Sequence, residues 1–116
     1  MAGDSCLFCR IVRGAVPAAV VYHADGVTAF RDIAPQAPVH ILVIPDEHIS
    51  GLTDVMTDEE PLIGRLVRVA AEVARAEGIS KSGYRLIVNQ GPDAGQSVPH
   101  LHIHLLGGTQ LRVPLV

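Results

Sequence analysis

The spacing of apolar and polar positions changes several times along the chain, and each change marks an element. Residues 5–13 (SCLFCRIVR) put Leu7, Phe8, Ile11 and Val12 on one side of a short helix, ended by Gly14 and Pro17. Two strand-like runs follow, Ala19–His23 and Val27–Arg31, joined through Ala24-Asp25-Gly26. The Asp-Gly pair predicts a hairpin, because such turns need positive φ and glycine adopts it at little cost. Pro35 and Pro38 punctuate a loop, after which Val39–Ile44 reads as a buried strand ended by Pro45. Thr57-Asp58-Glu59-Glu60 has the form of a capping box with acidic residues in the first helical turn. Beyond it Leu62, Ile63, Leu66, Val67, Ala70, Val73 and Ala74 recur at helical spacing, with Arg65, Arg68, Glu72 and Arg75 opposite. Gly78 suits the position just past a helix end, so the spacing predicts one amphipathic helix of about five turns over a sheet face. Tyr84–Asn89 predicts a strand, Gln90–Pro99 a polar, Gly-containing loop, and His100–Leu106 a last strand stopped by Gly107-Gly108. A hairpin first and a helix later, without regular βαβ alternation, predicts an α+β fold with a largely antiparallel sheet. Neither repeat nor linker interrupts residues 1–116, which are expected to form a single domain.

Composition narrows the choice of function. Apolar residues make up 48%, enough for a core without disulfide staples, and this excludes a disordered chain. The formal charge of −3 argues against a basic nucleic-acid surface. No apolar run approaches the roughly 20 residues that span a bilayer. Asp4 and Cys6 stand where a secretion signal would carry a basic start and an apolar stretch. A soluble, cytoplasmic protein without a membrane role is therefore expected. The unusual count is six histidines among 116 residues.

Three of them fall in His100-Leu101-His102-Ile103-His104-Leu105-Leu106. Strand alternation puts the three imidazoles on one face and sends Leu101, Ile103 and Leu105 into the core. A lone strand histidine is usually structural, but packing does not favour three adjacent polar rings, each wanting a partner. Two chemistries remain open from the residues alone: metal binding, or nucleophilic and acid–base work near neutral pH. The preceding loop, Gly91-Pro92-Asp93-Ala94-Gly95-Gln96-Ser97, supplies flexible backbone, an amide and a hydroxyl. Its glycines let main-chain N–H groups approach an anion, so a phosphate there would face the middle imidazole. Cys6-x-x-Cys9 is weaker, being open to chance, a redox pair or half a zinc site. His23, at a strand end near the turn, reads as exposed and inert.

The run His-φ-His-φ-His-φ-φ resembles the signature of the histidine triad (HIT) superfamily, and the likeness is closest to its Hint branch of purine nucleoside phosphoramidases. Phe30-Arg31-Asp32-Ile33-Ala34-Pro35-Gln36-Ala37-Pro38, Val39–Pro45, Glu47-His48-Ile49-Ser50, Tyr84–Asn89 and Gly95-Gln96-Ser97 match as well. The resemblance implies an α+β HIT-like fold with a five-stranded antiparallel sheet, one long helix and short helices, paired as a homodimer with a ten-stranded sheet. It implies hydrolysis of the P–N bond of purine nucleoside 5′-phosphoramidates such as AMP-amines, with His102 as nucleophile and a nucleotidyl-histidine intermediate. His40 would orient His102 and stabilise its developing cation; His104 and the Gly95–Gln96–Ser97 backbone would hold phosphate oxygens. Ser97 would also contact the leaving amine, Asn89 the phosphate or ribose, and Asp32 the ribose hydroxyls. Leu7, Phe8, Ile11, Val16, Phe30 and Ile33 would form the apolar base pocket. Neighbouring branches that split dinucleoside polyphosphates, and a non-catalytic nucleotide-binding regulator, are the alternatives.

Many bacterial HIT proteins carry the cysteine pair with a tetrahedral zinc completed by two histidines. By resemblance the set here is Cys6, Cys9, His48 and His100, a sound structural zinc site. One departure is the tail, Leu111-Arg112-Val113-Pro114-Leu115-Val116, which lacks the aromatic found near the C-terminus of animal Hint proteins and bears on the leaving-group side of the pocket.

Overall fold

A computed structural model describes residues 5–112; the tail positions 113–116 lie outside them. Helix α1 (Leu7–Val12) is followed by β1 (Val20–Ala24), β2 (Val27–Arg31), β3 (Val39–Pro45), α2 (Glu60–Ala76), β4 (Tyr84–Ile87) and β5 (Ile103–Gly107), with short 3-10 turns between. The strands form a five-stranded sheet in the order β1-β2-β3-β5-β4, and every neighbouring pair is antiparallel. The strand that comes last in the chain thus lies inside the sheet.

The β1–β2 turn forms as its sequence predicts: Asp25 and Gly26 have φ of 53° and 79°, the paired positive angles of a type I′ turn. β3 is buried along its whole length, which explains why it is a continuous apolar run rather than an alternating one. Its two faces serve two cores. Val39, Ile41 and Val43 join Val27, Ala29, Leu101, Ile103 and Leu105 against Leu66, Val69, Ala70, Val73 and Ala74 of α2. On the other face Leu42, Ile44 and Phe30 pack with Cys6, Phe8 and Cys9 around α1. His40 is on this second face, carried there by alternation with Leu42.

The capping signal of α2 falls one residue earlier than expected. Glu59 Oε1 accepts the Met56 N–H at 2.8 Å, a 3-10 turn covers Thr57–Glu59, and the helix begins at Glu60. Its C-terminus is a Schellman motif: Gly78 (φ 77°) donates to Arg75 O and Ile79 to Ala74 O, both at 3.0 Å. Ile79 is buried and completes the motif's apolar contact.

Two strands are shorter than the sequence pattern suggests. β4 stops at Ile87, so Asn89 lies beyond it, and β5 begins at Ile103 rather than His100. For β5 the cause is competing pairing. The Leu101 N–H donates to Ile49 O at 2.6 Å and the His100 N–H to Val98 O at 2.8 Å, so this stretch does not enter the ladder with β3. Leu101 still joins Ile103 and Leu105 in the core. Among the described residues no helix is long and apolar enough to cross a membrane.

Candidate active site

Register brings the first two histidines together. His104 on β5 stands opposite Leu42 on β3, and His40 lies two residues away on the same face. His40 Nε2 comes within 2.9 Å of His104 Nδ1. The Gln36 backbone N–H donates to His40 Nδ1 at 3.0 Å. Because that N–H can only donate, Nδ1 of His40 is an acceptor and its proton sits on Nε2. That proton is shared between His104 Nδ1 and Asp32 Oδ2, the latter at 3.5 Å. His104 therefore accepts at Nδ1 and keeps its own proton on Nε2. Asp32 is in turn held by the Ala34 N–H, which donates to Oδ1 at 2.8 Å.

His102 has the opposite polarity. Its Nδ1 is 2.7 Å from the His100 carbonyl oxygen, which can only accept, so Nδ1 carries the proton and Nε2 a free lone pair. The His102 and His104 rings, with centroids 5.0 Å apart, thus present an acceptor and a donor side by side. Burial, then the charges of His102 and His40, push the His104 pKa down to about 4, with Asp32 opposing; the ring is neutral at neutral pH. His40 thus lies against His104 and Asp32 rather than against His102.

Asp32, His40 and His104 have ligand atoms within 4.8 Å of one another. A metal on His40 Nε2 would move that proton to Nδ1, head-on against the Gln36 N–H. The backbone therefore favours a hydrogen-bonded relay over a cation here.

The two rings border an apolar cavity of about 230 Å³. Leu7, Phe8, Ile11, Val16, Phe30, Asp32, Ile33 and Ser97, all singled out in the sequence, border it too. Ile33 is 99% exposed, an apolar side chain standing at the rim. Phe8 stands edge-on to Phe30, His100 and His102, with centroids 5.4, 5.8 and 5.3 Å apart. Pro17, Ala18, Arg31, Leu42 and Val98 also contribute and were not anticipated. Leu42 was accessible to sequence reasoning, since it shares a strand face with His40. Asn89, Gly95 and Gln96 do not border the cavity. Gln96 instead braces the loop: its Oε1 accepts the Gly91 N–H at 2.9 Å and its Nε2 donates to Ser50 O and Val98 O. Gly95 (φ 81°) ends the 3-10 turn Pro92–Ala94.

Cys6, Cys9, His48 and His100 also meet, with all four ligand atoms within 4.8 Å of one another. His100 is fully buried, and its Nε2–H donates to Pro45 O at 2.9 Å. Its Nδ1 lone pair consequently faces Cys6 Sγ at 3.2 Å and Cys9 Sγ at 3.6 Å, and His48 Nδ1 lies 3.4 Å from Cys9 Sγ. A zinc tetrahedron with bonds of about 2.3 Å to sulfur and 2.0 Å to nitrogen has sulfur–nitrogen edges of about 3.5 Å. The observed separations fit those edges, and two thiolates with two imidazoles are a donor set suited to Zn²⁺. Both thiols are free. Burial and the neighbouring Cys6 push Cys9 up to about 11, a cost that a cation would reverse. Burial lowers His100, keeping it in the neutral form that binds metals. His23 is exposed, with Nε2 3.2 Å from Asp46 Oδ2.

The antiparallel sheet, the alternating histidines and the apolar cavity together define an α+β histidine-cluster protein. The HIT domain model matches residues 13–111, and the chain belongs to that family. The purine nucleoside phosphoramidase of Escherichia coli K12 is 49% identical over 108 residues, 93% of this chain and 91% of that protein. Among solved structures, a HIT family hydrolase from Legionella pneumophila Philadelphia 1 superposes with a TM-score of 0.92 at 47% identity, covering 95% of this chain and 98% of that one. A histidine triad protein from Clostridium difficile gives 0.91 at 40% identity, covering 94% and 95%.

Proposed function

We propose that this HIT-family hydrolase cleaves the P–N bond of purine nucleoside 5′-phosphoramidates, AMP joined to an amine, through His102. The observation that carries the reading is the 2.7 Å bond from His102 Nδ1–H to the His100 carbonyl, which leaves Nε2 as a lone pair beside the cavity. Nε2 attacks phosphorus as the P–N bond breaks; the electron pair goes to the amine nitrogen, which takes a proton from solvent. Water then attacks the same phosphorus and gives up a proton to solvent, the imidazole leaves with the electron pair, and AMP and free His102 result. The His100 carbonyl steadies the charge on the imidazole while phosphorus is attached. His104 Nε2–H donates to a phosphate oxygen, its tautomer set by His40, and this donor is aligned before the reaction begins.

The base occupies the apolar cavity behind Phe8 and Phe30, with Asp32 toward the ribose and Ser97 toward the leaving amine. Asn89, Gly95 and Gln96 support the phosphate side from the loop, outside the cavity wall. Cys6, Cys9, His48 and His100 hold a structural zinc ion, which when bound ties α1 to the sheet. The reading extends to residues 1–116 as one domain, to a homodimer whose sheets join into ten strands, and to the cytoplasm, where free thiols persist.

The test is His102→Ala assayed with an AMP-amine, together with the unsubstituted protein given an AMP-amine and a diadenosine polyphosphate in competition. Turnover is expected to fall about 1000-fold or more while AMP still binds. Undiminished hydrolysis overturns the mechanism, and preference for the dinucleotide shifts the substrate to a P–O–P bond.

A further inference from the structure

The thiol–imidazole cluster and the cavity are linked through two short paths. His100 is one: its Nδ1 faces the thiols, while its carbonyl fixes the tautomer of His102 at 2.7 Å. The turn between the cysteines is the other. Leu7 and Phe8 lie between Cys6 and Cys9, both border the cavity, and the Phe8 ring stands edge-on to both His100 and His102. The cluster and the cavity wall therefore share backbone, not merely neighbourhood.

We propose that Cys6, Cys9 and His48 are positioning residues for the nucleophile, and that a divalent cation held by them and His100 binds cooperatively with the nucleotide. The proposal rests on the nucleotide reading above. As hydrogen bonds the thiol–imidazole contacts of 3.2–3.6 Å are weak, because a thiol is a poor donor and acceptor. Replaced by metal bonds, they fix His100 and the Leu7–Phe8 wall before the nucleotide arrives. A site ordered in advance spends less binding energy on ordering, so affinity rises. Linkage requires the effect to be mutual: the nucleotide strengthens metal binding by the same factor.

The experiment titrates AMP calorimetrically into zinc-loaded and chelator-stripped protein, with circular dichroism recording the fold of each. AMP is expected to bind about tenfold tighter to the loaded form. Saturating AMP is expected to tighten zinc by the same factor, read in competition with a chromogenic chelator. Phe8→Leu, which leaves all four ligands in place, brings that factor toward one. Equal AMP affinity in two folded forms overturns the coupling and leaves the nucleotide reading standing. AMP bound by neither form overturns both, and a protein that takes up no zinc overturns the coupling alone. Should the stripped protein unfold, the cobalt-loaded protein reports instead: saturating AMP shifts the thiolate–cobalt absorption, and an unchanged spectrum overturns the proposal.

Discussion

At neutral pH the His104 ring carries no charge, because burial and the neighbouring His102 and His40 push its pKa down to about 4. In the unfolded chain the same ring titrates near the ordinary value of about 6.5. Between these values the unfolded state binds more protons, so stability rises with pH across the window. Stability present above pH ~6.5 is accordingly lost as the pH falls toward about 4. Urea unfolding at successive pH values is expected to show this loss, and His104→Gln to flatten it; an equal slope in both proteins would contradict the assignment. The histidine run itself was plain in the sequence, because a period of two needs only local information. Which nitrogen carries each proton was not, since Gln36, His100 and Pro45 supply the deciding groups from backbone atoms. No side-chain pattern records those contacts.

Two local turn signals matched expectation, the capping box of α2 came one residue early, and the strand end bounded by a distant segment did not match. The Asp25-Gly26 turn and the Gly78 helix end each follow from a few consecutive residues. The start of β5 depends on Ile49, whose carbonyl takes the Leu101 N–H and keeps His100–His102 out of the ladder. At the other end of β5, Gly107 has little room: a Cβ there would lie 2.7 Å from Ile79 Cδ1 and 3.3 Å from the Gly83 carbonyl oxygen. The end of the Ile79 side chain must shift, and the Gly83 carbonyl, being backbone, gives less readily. Gly107→Ala is expected to destabilise the protein by about 1–2 kcal/mol through overpacking, read as a lower urea midpoint with an unchanged slope.

Over the whole molecule, the least self-sufficient part is α1. Six residues cannot sustain a helix alone, so its hold on the sheet comes from Phe8 and the buried Cys6 and Cys9, whose thiols meet two imidazoles in a set that could hold a metal. Stripping metal with a chelator is expected to lower the thermal midpoint by several degrees, and stoichiometric zinc to restore it. A midpoint indifferent to both treatments would remove zinc from the account of stability. The overall α+β class was legible from the order of periodicities, and the apolar wall from the family likeness. The meeting of Cys6 with His100, 94 residues apart, was not legible from spacing, because nothing local states which distant segments will touch.

The placement of β5 bears on how the molecule is made. A growing chain can pair β1, β2 and β3 as they appear, but β4 has no place in the sheet until β5 is available to lie between it and β3. During synthesis the inner edge of β3 stays open, and β4 waits unpaired through the intervening loop. Because β5 also brings His104, and the stretch before it His100 and His102, closing the sheet and completing the histidine cluster are the same event. A ribosome-bound intermediate would have a hairpin, a helix and an unguarded strand edge, and His40 without His102 and His104 beside it.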